Sequence, residues 1–210
     1  MFGFNFSATL HAFRAIKNPT LLLPHHTVPS FDHLPYPLYK AFTRPDGTHP
    51  DIRAVVLDKD NCFAIPHELE VYGPYKERFE LLKKEFPGSK LLVVSNSSGT
   101  GDDPGHKEAT LLSRTLSLPI LTHTTKKPGC HPSVLSFFLA DPTTGVTHPS
   151  QIVIVGDRLS TDIMMANMMG SWGVWIRDGI PDIGGRTLEG YLRRRGLRGP
   201  WPAEMVGKGD

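Results

Sequence analysis

Beyond Asp51 the chain alternates short, near-continuous apolar runs with longer mixed segments. The runs are Ala54-Val55-Val56-Leu57, Leu91-Leu92-Val93-Val94, Pro119-Ile120-Leu121, Ile152-Val153-Ile154-Val155 and Gly173-Val174-Trp175-Ile176. Runs that are apolar at successive positions predict strands covered on both faces, as in a parallel sheet. The segments between them predict helices around 75–85, 107–116, 133–138 and 162–169. That alternation reads as a doubly wound α/β sheet, with helices on both faces and ligands expected at the carboxyl ends of the strands.

The first 50 residues follow another pattern. Phe2, Phe6, Leu10, Phe13 and Lys17 recur at steps of three or four, one side of a helix, with Asn5, His11, Arg14 and Asn18 mainly on the other. Seven prolines between Pro19 and Pro50 then predict an extended linker. The expected organisation is an amphipathic helix and proline-rich linker over 1–50, a core over 51–185 and a basic segment over 186–210.

Composition narrows the classes. The 210 residues are 39% apolar, enough for one real core, and the net charge of +2 gives no reason to expect a nucleic-acid partner. Charge is nevertheless uneven. Asp32 is the first acid, and Arg186, Arg193, Arg194, Arg195 and Arg198 face only Glu189. Cys62 and Cys130 form no Cys-x-x-Cys pair, so reduced thiols are expected rather than a zinc site. No apolar run approaches the roughly 18–20 residues that cross a bilayer, so any membrane contact is made from the surface.

The chemistry stands directly after the strands. Asp58-Lys59-Asp60-Asn61-Cys62 follows the first run, Ser95-Asn96-Ser97 the second, and Gly156-Asp157-Arg158 with Thr161-Asp162 the fourth. Phosphate-ester cleavage needs a nucleophile, a proton for the leaving oxygen and charge neutralisation. Asp58 is the candidate nucleophile, and Asp60 the acid for the departing alkoxide and later the base for water. Mg²⁺ would sit between Asp58 and Asp157 with the Asp60 carbonyl, while Asp162 either joins the metal or only caps a helix. Ser95 and Lys127 would hold the phosphoryl oxygens; Lys126 competes, and Pro128 favours Lys127. Asn96 and Arg158 are candidate substrate contacts.

These four elements in order resemble the haloacid-dehalogenase superfamily phosphatases, subclass IIIA, over residues 51–180. The resemblance implies a Rossmann-like three-layer sandwich, Mg²⁺ and the roles just assigned. Cys62 stands where the superfamily often has Thr or Val. Leu57-Asp58-Lys59-Asp60-Asn61-Cys62, Ser95-Asn96-Ser97-Ser98-Gly99-Thr100, Asp102-Asp103-Pro104-Gly105 and Lys126-Lys127-Pro128-Gly129-Cys130 further resemble the fungal mitochondrial phosphatidylglycerophosphate phosphatases. That likeness implies removal of a phosphate from a phospholipid at the matrix face of the inner membrane, in the making of phosphatidylglycerol and cardiolipin. The short intervals from Asp58 to Ser95 and from Ser95 to Lys127 leave no room for a large cap domain. An open site suits a substrate fixed in a bilayer.

Rival readings are a phosphatase of soluble esters and a non-catalytic membrane scaffold, the latter disfavoured by intact acidic positions. Phe6, Leu10, Phe13, Arg14 and Lys17 read as a dock on an anionic membrane, a targeting peptide or a brace on the core. The arginine cluster reads as a solvated face or a second lipid contact.

Overall fold

The computed structural model describes residues 14–180, so Phe6, Leu10 and Phe13 of the apolar stripe, and the arginine cluster of 186–198, lie outside the described residues. Five strands form one sheet: β1 (His26–Val28), β2 (Ala54–Leu57), β3 (Leu91–Val93), β4 (Ile152–Gly156) and β5 (Trp172–Ile176). Their order is β1-β5-β4-β2-β3, and every neighbouring pair is parallel.

Alternate residues of each strand face opposite sides. Val55, Leu57, Leu91, Val93, Val153, Val155, Val174 and Ile176 enter one core cluster, and Ala54, Val56, Leu92, Val94, Ile152 and Ile154 enter the other. The first face is covered by α1 (Lys76–Glu85) through Phe79 and Leu82, and by α2 (Lys107–Leu116) through Leu112 and Leu116. The second is covered by α3 (His131–Ala140) through Val134 and Phe138, and by α4 (Met164–Met169) through Met165, Ala166 and Met169. The result is the expected three-layer α/β sandwich. The intervals from β2 to β3 and from β3 to Lys127 are taken up by α1 and α2, which pack on the sheet, and no cap domain occurs among the described residues.

Two expectations are corrected. The stretch read as an extended linker is built into the core: β1 adds the edge strand beside β5, and Phe31, Leu34, Leu38 and Phe42 are buried under the first face. Its prolines allow only short 3-10 turns, of which Phe31–His33 and Leu38–Phe42 still present apolar side chains inward. Pro119-Ile120-Leu121, read as a strand, makes a single bridge, Ile120 opposite Val93. Pro119 has no N–H to extend the ladder.

Candidate active site

Parallel register brings the ends of β2, β3 and β4 to one edge. Asp58 N donates to Val155 O at 2.9 Å and Val94 N to Leu57 O at 2.9 Å, so Asp58, Ser95 and Asp157 leave the sheet side by side. After Asp58 the chain turns sharply. Lys59 O accepts from Phe63 N and Ala64 N, and Asn61 takes φ +62°, a conformation Asn tolerates better than most residues. Asp162 arrives from a π turn, Leu159–Ile163, an irregularity that recurs at functional sites. Gly156 makes room for it: a Cβ there would stand 2.3 Å from Asp162 Cγ.

Asp58, Asp157 and Asp162 each present a carboxylate oxygen within 4.8 Å of the others. Lys127 lies among them, bonded through Nζ to Asp58 Oδ1 and, at 2.6 Å, to Asp162 Oδ1. Asp58 is 6% exposed, Lys127 2% and Asp162 1%, so these charges meet almost without water. Burial, opposed by Lys127 and reinforced by Asp162 and Asp157, pushes the Asp58 carboxyl up to about 8. Burial and the Asp162 charge likewise raise Asp157. Burial alone would lower the Lys127 ammonium, but Asp162 and Asp58 more than reverse that and hold its proton in place.

Three close carboxylates with one ammonium between them form an oxygen-donor set suited to a hard divalent cation. The donor set carries a more specific sign: Asp157 Oδ1 is buried with no hydrogen-bond partner. Buried polar atoms are rarely left so, and an ion is one of the partners that resolves them. The cluster can therefore hold a metal ion.

The remaining sequence-predicted residues take varied positions. Asp162 is both cap and cluster member, since its Oδ2 accepts from Arg158 N at 3.1 Å and Thr161 Oγ1 at 3.3 Å while Oδ1 meets Lys127. Lys126 is turned to the surface and pairs with Asp102, leaving Lys127 as the lysine in the cluster. Asp60 does not join the three acids. Its Oδ1 meets Lys59 Nζ at 2.7 Å and His67 N at 3.1 Å, and its Oδ2 accepts from Ser97 Oγ at 2.9 Å. Burial would raise it, but Lys59 and these hydrogen bonds hold it below the ordinary carboxylate range. Ser95 is fully buried, its Oγ accepting from Ser97 N at 3.1 Å. Asn96 Oδ1 accepts from Lys127 N at 2.8 Å, which fastens the lysine loop to the serine loop. Arg158 is exposed at the rim, Nε 3.8 Å from Asp157 Oδ1. Arg14 and Lys17 are exposed on a helical turn over 14–17.

Sequence reasoning gave no role to Lys59, Asn61, Ser97 or His123. Asn61 Nδ2 donates to Asp157 Oδ2 at 3.0 Å. His123 spans two carbonyls, Nε2 3.0 Å from Ser95 O and Nδ1 2.8 Å from Thr125 O, and so ties together the loops bearing Ser95 and Lys127. Lys59, Asn61 and Ser97 flank motif residues, a weak signal at best; for His123 the sequence holds none.

The family described as "Mitochondrial PGP phosphatase" matches residues 6–181. The mitochondrial phosphatidylglycerophosphatase GEP4 of Saccharomyces cerevisiae is 44% identical over 176 residues, 84% of this chain and 89% of that protein. A probable mitochondrial phosphatidylglycerophosphatase of Schizosaccharomyces pombe is 34% identical over 177 residues, 84% of each chain. A chloroplastic phosphatidylglycerophosphate phosphatase 1 of Chlamydomonas reinhardtii is 32% identical over 161 residues, 76% of this chain and 54% of that protein. No solved structure matches the chain. With the family matched along most of its length and two relatives covered over more than four fifths of theirs, the chain belongs to the mitochondrial PGP phosphatase family.

Proposed function

We propose that this chain removes the terminal phosphate of phosphatidylglycerophosphate, leaving phosphatidylglycerol, through an aspartyl-phosphate on Asp58. The observation that carries this reading is the placement of Asp58 at the end of β2, in a buried cluster with Asp157, Asp162 and Lys127. An Asp58 carboxylate oxygen attacks phosphorus, and the bond from phosphorus to the glycerol oxygen breaks. Asp60 carries a proton at this step, against Lys59, which favours its ionised form in the free protein, and gives that proton to the departing oxygen. Asp60 then takes a proton from a water molecule that attacks the phosphorus, releasing inorganic phosphate and restoring Asp58. Ser95 and Lys127 hold the phosphoryl oxygens, with Asn96 and Arg158 as further contacts. Mg²⁺ would be held by Asp58, Asp157, the Asp60 carbonyl and Asp162, and when bound it offsets the repulsion between an anionic nucleophile and an anionic ester.

In this reading the reaction takes place at the matrix face of the mitochondrial inner membrane. The segment up to Lys17 docks on its anionic surface through Phe6, Leu10, Phe13, Arg14 and Lys17. Support comes from the two relatives named mitochondrial and from the lack of a cap over the strand ends among the described residues.

The test compares phosphate release from phosphatidylglycerophosphate in mixed micelles with release from a panel of soluble monoesters, with Mg²⁺ or chelator. The lipid should be preferred, chelation should abolish turnover, and Asp58→Asn should cost roughly 10³-fold or more. Turnover that survives in rigorously purified Asp58→Asn, or a soluble ester handled better than the lipid, would overturn the reading.

A further inference from the structure

Lys59 is a lysine without any solvent contact, its side chain 0% exposed. Such burial is strongly unfavourable unless the ammonium is paired and hydrogen-bonded. Its Nζ lies 2.7 Å from Asp60 Oδ1, 3.0 Å from Glu68 O and 4.0 Å from Glu108 Oε1. Ser97 holds the opposite oxygen, its Oγ 2.9 Å from Asp60 Oδ2. The two grips are anchored in turn. Ser97 is fixed to Ser95, the two Oγ atoms 2.9 Å apart, and Glu108 is fixed by Ser98 Oγ at 2.6 Å. None of these contacts involves the Asp58–Asp157–Asp162 cluster.

We infer that Lys59 and Ser97 are positioning residues that fix the carboxyl group of Asp60 for its work on the leaving oxygen. The inference rests on the role given to Asp60 under Proposed function. Lys59 and Ser97 clamp the carboxyl at both oxygens, and without them the His67 N–H is the contact that remains of the three described. A proton donor works only from within hydrogen-bond reach of the departing atom, and small misplacements are costly. The loss should therefore depend on the leaving group. An alkoxide must be protonated as it departs, whereas p-nitrophenolate leaves well unaided. A general structural role would weaken both reactions alike.

The experiment measures kcat/KM, which covers the steps up to departure of the leaving group, on phosphatidylglycerophosphate in mixed micelles and on p-nitrophenyl phosphate. Wild type is compared with Lys59→Met, Ser97→Ala and Asp60→Asn. In Lys59→Met and in Ser97→Ala the ratio of lipid to aryl kcat/KM should fall about tenfold or more, within the range of a general-acid contribution. Equal losses on both esters, an unchanged ratio, or a ratio that rises in Lys59→Met, where loss of the ammonium favours the protonated acid, would overturn the inference. A ratio that falls in Asp60→Asn but in neither other variant removes Lys59 and Ser97 and leaves the acid in place. A ratio unmoved in Asp60→Asn removes the assignment of Asp60 itself. Should Lys59→Met fail to fold, the ratio in Ser97→Ala, a change at a partly exposed loop residue, decides.

Discussion

Asn61 Nδ2 donates to Asp157 Oδ2 across 3.0 Å, and it is the other oxygen, Oδ1, that is buried without a hydrogen-bond partner. Asn61 is itself clamped: Ile180 N donates to its Oδ1 at 3.1 Å, and a Cβ at Gly179 would stand 2.3 Å from its Nδ2. The amide thus selects which Asp157 oxygen stays open, and in the proposed mechanism that oxygen meets the cation. Asn61→Gly removes the amide while accommodating φ +62°. It should weaken the activating cation by about 10–100-fold, the usual loss when a ligand-orienting partner is removed. The measurement is the Mg²⁺ dependence of phosphate release, and an unchanged midpoint would mean that something else orients Asp157.

Lys127 supplies the positive charge that Asp58 and Asp162 share. Removing one partner of a buried ion pair costs about 3–5 kcal/mol, because the other charge is left uncompensated. Lys127→Met should therefore melt well below wild type in chelator and lose phosphatase activity. Mg²⁺ should raise its melting temperature by more than it raises that of wild type, since a cation can supply the missing charge. Equal Mg²⁺ shifts in the two proteins would argue against a charge-coupled cluster.

The raised carboxyl of Asp58 gives a pH signature. Its value moves from 3.8 to about 8 on folding, and Asp157 shifts in the same direction. A carboxyl raised by folding contributes stability that is fully present below its unfolded value and is lost as pH climbs through the folded one. The metal-free protein should lose this contribution between about pH 4 and pH 8, and Asp58→Asn should flatten that part of the curve. Cation binding needs the ionised carboxylates, so Mg²⁺ should stabilise the protein more at pH 8 than at pH 5.5. Thermal melts across pH with chelator or Mg²⁺ test this, and a pH-independent Mg²⁺ shift counts against it.

Membrane docking has its own test. Arg14 and Lys17 are exposed, and Ile16 between them is 77% exposed. A basic residue near an anionic surface contributes about 1 kcal/mol. Reversing both charges should reduce sedimentation with anionic liposomes and turnover of membrane-embedded lipid, while hydrolysis of a small soluble ester stays close to wild type. A parallel fall on both substrates with a lower melting temperature would make this segment a structural brace.

Strands β2, β4 and β5 were legible because burial on both faces leaves an apolar residue at nearly every position. Strand β1 was not. His26-Thr27-Val28 has one buried apolar residue, Val28, and becomes a strand because the free edge of β5 supplies partners. Pro119-Ile120-Leu121 failed for the opposite reason: its apolar pattern suits a strand, but the proline interrupts the ladder. Phe31, Leu34, Leu38 and Phe42 fall at steps of three and four, a helical spacing, but Pro35 and Pro37 break it into two 3-10 turns, and the first face of the sheet gives these side chains their place in the core.

That acids and a serine follow apolar strands is plain from the order of residues along the chain, and parallel pairing then puts them on one edge. The sequence by itself could not determine which atoms meet there. That Lys126 turns to Asp102, which oxygen of Asp157 is left without a hydrogen-bond partner, and that Lys59 turns inward to Asp60 all depend on side-chain directions set by packing. Those directions come from contacts between residues far apart in the chain, Asn61 with Asp157 and Lys127 with Asp58 and Asp162, and local pattern carries no record of them.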